Sequence, residues 1–355
     1  TLKNENSFMS GIWAAGIGVP EGAALTVTKE SDGSVTATGL HGAGIGGGYE
    51  GSGGTVTVNG GTVTARSATG SAGIGGGDQG SGGTVTVSGG TVTATGKYGG
   101  AGIGGGDLGS GGTVTVSGGT VTATGGSTGG AGIGGGWDGN GGTVTVSGGT
   151  VTATGGGSGA GIGGGDGGSG GTFSTDENGN AVILASSISD QSGKTSTASP
   201  WSGLIIEGTT GALYGTSVTP TADFTVPAGD TVTLGNDDTA AQTLTVASGI
   251  TMTNNGNITV KKGDSLVVDG TLVNNGTITY EDGGTVTLNG NVGGTGTLTG
   301  TGSGLTKKAL PALTAPVVIA HTKTSVALKE VTDGAPQYGY TEGSGAAPTE
   351  INNWQ

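Results

Sequence analysis

Residues 101–124 read Ala-Gly-Ile-Gly-Gly-Gly-Asp-Leu-Gly-Ser-Gly-Gly-Thr-Val-Thr-Val-Ser-Gly-Gly-Thr-Val-Thr-Ala-Thr, and this stretch returns along the first half of the chain. Its isoleucine recurs at Ile45, Ile74, Ile103, Ile133 and Ile162, with a degenerate first copy at Ile17, so the steps are 28, 29, 29, 30 and 29 residues. A fixed period in this range marks a stack of structural repeats. Without the period, 89 glycines in 355 residues would point to a disordered linker.

Within each copy an apolar residue alternates with threonine. The first pair is Val56 and Val58, with its equivalents Val85 and Val87, Val114 and Val116, Val144 and Val146; Phe173 takes the first place in the fifth copy. The second pair is Val63 and Ala65, then Val92 and Ala94, Val121 and Ala123, Val151 and Ala153. Strict alternation predicts strands with one buried face, and β-branched Val and Thr suit a pleated strand. Each repeat therefore reads as three short strands, with Gly-Gly pairs supplying the backbone freedom for sharp corners. Two foldings compete. Ser-Gly-Gly suits a local antiparallel hairpin, whereas near-identical copies suit a single coil of a parallel β-helix. The coil is preferred, because stacking gives unbroken ladders of Val on Val, while isolated hairpins would bury too little. A one-residue slip would turn every valine outward, so the register is well specified.

The expected fold is thus all-β, a right-handed parallel β-helix. Residues 1–171 form glycine-rich coils of about 29 residues, and residues 172–217 an irregular coil and loop insertion that breaks the period. Residues 218–304 form a second section with coils of about twenty residues. There Asn254-Asn255-Gly256 and Asn274-Asn275-Gly276 lie twenty residues apart, as the corner ladder of a β-helix would. That ladder, rather than glycosylation, is the reading preferred for the sequons at Asn257 and Asn275. Residues 305–355, punctuated by Leu310-Pro311 and Ala315-Pro316 and with strand-like runs at Val317 to Ile319, Val326 to Leu328 and Tyr338 to Tyr340, read as part of a fibronectin III-like β-sandwich.

Composition narrows the partners. The net charge is −14, charged residues are 10% of the chain, and Arg66 is the one arginine among ten lysines, so no basic footprint exists for nucleic acid or anionic lipid. No apolar run approaches the roughly 18 residues of a membrane span, so no membrane insertion is expected. Cysteine is absent, which rules out a disulfide framework. The chain starts at Thr1 and lacks a basic, apolar leader, so it reads as a segment of a longer modular chain.

Ala-Gly-Ile-Gly-Gly-Gly followed by Gly-Gly-Thr-Val-Thr-Val-Ser-Gly-Gly-Thr-Val-Thr-Ala-Thr-Gly resembles the glycine-rich repeats of large modular surface proteins from Gram-positive, often gut, bacteria. Phe224-Thr-Val-Pro-Ala-Gly-Asp-Thr-Val-Thr-Leu and the Asn-Asn-Gly ladder resemble segments that follow those repeats, often ahead of fibronectin-like modules and a wall anchor. The resemblance covers residues 11–304 and implies a secreted or cell-surface protein. Some β-helical relatives are described as carbohydrate-binding, but none of their binding residues maps onto this chain, and no anchor motif is present.

Three surface features carry the candidate sites. Asp78, Asp107 and Asp166 directly follow a glycine triplet, Asp138 is displaced one place by Trp137, and Tyr49-Glu50 stands there in the first full copy. One carboxylate per coil along an edge is one way to hold calcium, which needs six to eight oxygens. Calcium-binding nonapeptides repeat every nine residues rather than 29, so a solvated aspartate that restrains its turn is preferred and no cofactor is expected. Tyr49, Tyr98, Leu108 and Trp137 occupy variable corners, where an aromatic ring is free either to stack on a sugar or to cover glycine backbone. Finally, Thr55/Thr57 and Thr62/Thr64 with their equivalents form two Thr-x-Thr arrays, spaced about 4.8 Å between coils and about 6.8 Å along a strand. These are similar to the arrays of ice-binding solenoids, although threonine is also the polar residue best suited to a strand surface.

Catalysis finds little support. Polysaccharide chemistry wants paired carboxylates or a carboxylate beside a cation, but His41 and His321 are isolated, and Asp190 and Asp237-Asp238 have no evident partner. The expected function is a non-catalytic adhesin or binding module on the cell surface. Its ligand is a polysaccharide or host glycoconjugate bound by Tyr49, Asp78, Asp107, Trp137, Asp138 and Asp166. The alternatives are a structural stalk and an ice-binding solenoid.

Overall fold

The computed structural model describes residues 13–30, 33–195, 201–235, 240–307, 318–321 and 326–328. The chain divides into two compact units, Thr1–Lys307 and Lys308–Gln355. The first unit is a parallel β-helix, and its glycine-rich part has three strands per coil.

One wall stacks the isoleucine strands in parallel, from Ile17–Gly18 through Ile45–Gly46, Ile74–Gly75, Ile103–Gly104 and Ile133–Gly134 to Ile162–Gly163. A second stacks Ala24–Val27, Thr55–Val58, Thr84–Val87 and Thr113–Val116. The third stacks Ser34–Gly39, Thr62–Ser67, Thr91–Thr95 and Thr120–Thr124. In the last two coils the second and third walls run together as the long strands Thr143–Thr154 and Thr172–Ala185. In the full coils almost every pairing puts like on like, so Val56, Val85, Val114 and Val144 form one column, each at most 2% exposed. Among the described residues no glycine-rich repeat folds as an antiparallel hairpin. The interior is narrow because alanine and valine face isoleucine across it.

Glycine is required where coils approach most closely. Gly75 and Gly104 hold φ of 134° and 137°, a region closed to side chains, and a Cβ on either would strike the carbonyl of the equivalent glycine in the next coil. Gly77 and Gly106 have ordinary φ, yet a methyl group there would land on the carbonyl of the preceding coil's equivalent glycine.

Residues 172–217, expected as an irregular insertion, contain the strands that join two stacks. Thr172–Ala185 pairs in parallel with Gly203–Glu207, which pairs antiparallel with Thr210–Tyr214, which pairs in parallel with Thr231–Leu234. The hairpin reverses strand direction within one continuous sheet. The side facing the interior also changes. Ile183 and Ile205 belong to the first core, whereas their neighbours Val182, Leu204 and Ile206 belong to a second core on the opposite face. Reversing both direction and interior side leaves the winding sense unchanged, so one wall serves two helices of the same hand. Burial on both faces explains the unalternating runs Ala181-Val-Ile-Leu-Ala185 and Leu204-Ile-Ile206. Phe173, Trp201 and Tyr214, packed edge to face with centroids 5.3 Å apart, close the end of the first core.

The second stack settles into coils of about twenty residues. Its registers run Ile258↔Ile278↔Leu298 on the shared sheet, Leu266↔Val286↔Leu305 on another wall and Met252↔Leu272↔Val292 on the last. The asparagine corner forms two ladders. Inside, Asn254 Nδ2 donates to Asn274 Oδ1 at 2.8 Å; outside, Asn275 Nδ2 donates to Asn255 Oδ1 at 2.9 Å. Leu305–Lys307 belongs to this stack, so the expected sandwich segment does not begin at residue 305. Of the second unit, Val318–His321 pairs antiparallel with Val326–Leu328; the expected strand at 338–340 lies outside the described residues.

Candidate functional site

Each glycine triplet ends in a corner built the same way. The fourth residue after the isoleucine is Tyr49, Asp78, Asp107, Trp137 or Asp166, and the fifth is Glu50, Gln79, Leu108, Asp138 or Gly167. Four of the fifth residues hold left-handed φ without being glycine: 57° at Glu50, 66° at Gln79, 63° at Leu108 and 53° at Asp138. Such a conformation persists only where its surroundings impose it. Here a ladder does so, because each fifth residue donates its N–H to the fourth residue of the next coil: Glu50 to Asp78, Gln79 to Asp107, Leu108 to Trp137, Asp138 to Asp166, at 2.7–2.9 Å. The six expected residues therefore stand on one edge in consecutive coils.

A second column completes this edge. The fourth residue before the isoleucine is Trp13, His41, Gly70, Gly99 or Gly129, and Ser158 in the last coil. Equivalent hydrogen bonds tie the columns together: Tyr49 N–H donates to the Trp13 carbonyl at 3.0 Å, Asp107 to Gly70 at 2.6 Å, Trp137 to Gly99 at 2.7 Å and Asp166 to Gly129 at 2.8 Å. Where this column is glycine, the corner side chains lie down onto it. A Cβ on Gly99 would meet Asp107 and Trp137, and one on Gly129 would meet Asp166 and Trp137. Where the column carries rings, they pack instead. Trp13 lies 4.9 Å from His41 and 4.7 Å from Tyr49 between centroids. His41, expected to be isolated, is thus a member of an aromatic cluster, and Trp13 was invisible as a candidate because its coil is degenerate.

The edge is both acidic and greasy. Among the described residues six large hydrophobic side chains are exposed, and five of them, Trp13, Leu40, Tyr98, Leu108 and Trp137, lie at these corners or in the loops beside them. The carboxylates crowd one another. Burial, then the neighbouring Asp78 charge, pushes the Asp107 carboxyl up, and Asp138 adds to this while the Leu108 N–H opposes it. Burial also raises Asp78, against the pull of His41 and with the push of Glu50. Asp107 Oδ1 is buried without a hydrogen-bond partner.

Raised carboxyls bind protons more readily in the folded chain than in the unfolded one. Stability from Asp78 and Asp107 is therefore fully present below the ordinary carboxylate range and is lost as pH rises through their elevated values. The melting temperature is expected to climb as pH falls from 7 toward that range. Asp107→Asn should raise melting at pH 7 and flatten the climb; an unchanged pH dependence of melting would refute the crowding.

The other expected features fare differently. Among the described residues no three His, Asp or Glu side chains converge as a metal set. Asp190 has partners after all: its Oδ2 accepts the Phe173 N–H at 2.9 Å and its Oδ1 accepts the Ser192 N–H at 3.0 Å, so it closes the last coil. Asp237-Asp238 lies outside the described residues, as does the side chain of His321. The Thr55/Thr57 array continues to Thr172 and Ser174. The Thr62/Thr64 array is cut short, because Thr150 is buried and its Oγ1 donates to the Asp223 carbonyl of the second stack at 3.1 Å.

Fold and corners together define a β-helix repeat protein. A family described as a beta helix repeat matches residues 31–49, 56–78, 85–107, 114–137 and 144–166, so that every match ends on the fourth residue after an isoleucine. No curated protein and no solved structure matches the chain.

Proposed function

We propose that this β-helix is a non-catalytic binding module, secreted or displayed on a cell surface as part of a longer modular chain, and that the corner edge binds an extended glycan. The observation that carries the reading is the gathering of five exposed large hydrophobic side chains on the one edge that also bears a carboxylate or amide in each full coil. Aromatic faces stack on the C–H face of a sugar, and neighbouring polar groups take its hydroxyls. Coils repeat about every 4.8 Å, so a polymer lying along the axis meets several weak contacts at once, and avidity makes poor individual sites useful.

The test is retention of the chain in native gels containing soluble polysaccharides. Replacing Trp137, Asp78, Asp107, Asp138 and Asp166 by alanine should abolish retention without lowering the melting temperature. Survival of binding in that variant would make these five residues a solvated corner, and a parent chain that no polysaccharide retains would favour the structural stalk.

A further inference from the structure

Resting on that reading, we infer that the head of the edge, where Trp13, His41 and Tyr49 meet, is its principal sugar-stacking subsite, and that the polymer it accepts is neutral rather than anionic. Among the described residues no other place on the edge brings three rings together. His41 and Tyr49 are 6.5 Å apart and set edge to face, Trp13 packs against both, and 42% of Trp13 remains exposed. An ordinary apolar cluster would bury its largest ring. Here the tryptophan is left open on a backbone held by the Tyr49 N–H, which removes part of the ordering cost of binding.

The charge pattern selects the ligand. From this platform to Trp137, three coils and about 14 Å further along, the edge passes Glu50, Asp78, Asp107 and Asp138, and Asp166 follows. Among the described residues His41 is the one base acting on Asp78, and Lys97 lies over Tyr98, 5.9 Å from its ring. A uronate, sialylated or sulfated polymer laid along this line would place its anions beside carboxylates, which penalises it against an uncharged chain of the same shape. A neutral glycan escapes that repulsion and finds acceptors for its hydroxyls.

The experiment uses the whole chain in native gels cast with neutral polymers (mixed-linkage β-glucan, mannan, galactan) or anionic ones (polygalacturonate, heparin). The parent should be retarded by at least one neutral polymer and by neither anionic one. Trp13→Ala should weaken that retardation at least tenfold, with Trp13→Phe restoring most of it and both variants melting as the parent does. Trp137→Ala should cost less than Trp13→Ala. If Trp13→Ala binds as the parent while the five-residue corner variant does not, the head is no subsite and the wider edge reading stands. Retardation by the anionic polymers alone would overturn the assignment of ligand class. A parent retarded by no polymer overturns this inference and the glycan reading together.

Discussion

Val114→Asp is expected to be the most damaging single substitution in the glycine-rich stack. Val114 is 1% exposed and sits between Val85 and Val144 in a column with no polar atom to receive a carboxylate. An unpaired charge in such a place costs on the order of 4 kcal/mol or more, even after the group escapes by protonation. That is a large fraction of the roughly 5–15 kcal/mol that holds a typical domain together. Thr115→Ser, on the outer face of the same strand, should be nearly silent. Denaturant melts of the two variants decide the matter, and equal tolerance at both positions would mean that the faces are assigned the wrong way round.

Gly106→Ala is expected to come second, although it adds a single methyl group. The methyl would land on the Gly77 carbonyl, and that carbonyl belongs to backbone fixed by ladder hydrogen bonds above and below. Overpacking usually costs 1–3 kcal/mol because a side chain can turn aside. Here only the separation of two coils makes room, so about 3 kcal/mol is the expected loss. Gly33→Ala is the control, since a Cβ there meets nothing within 4 Å. A Gly106→Ala chain that melts with the Gly33→Ala chain would show that the coils are spaced more loosely than the structure has them.

The coils were legible in the sequence because each strand has one buried face, so Val-Thr alternation reports directly on burial. The same reasoning fails from Ala181 to Ala185 and from Leu204 to Ile206, where both faces are buried and the alternation that would mark a strand disappears. The change of interior side was therefore hidden. The candidate edge was half visible. Tyr49, Asp78, Asp107, Trp137 and Asp166 share an offset from the isoleucine, and that offset survives in the structure. Trp13 and His41 share an offset too, but glycine holds it in the next three coils, and a column that is mostly empty draws no attention in a sequence. Counting back from each isoleucine, as well as forward, would have found them.

The common wall divides the chain into parts that evolution is free to count and a part it is not. Unequal crossing-over within the first stack gains or loses a whole coil, altering reach by about 4.8 Å and the edge by one corner, because each coil touches only its neighbours. The strands Thr172–Ala185, Gly203–Glu207 and Thr210–Tyr214 admit no such duplication, since an extra copy would face a core where the next stack needs its own. Lineages descended from a common ancestor should accordingly differ in coil number on either side of this segment while its length stays constant.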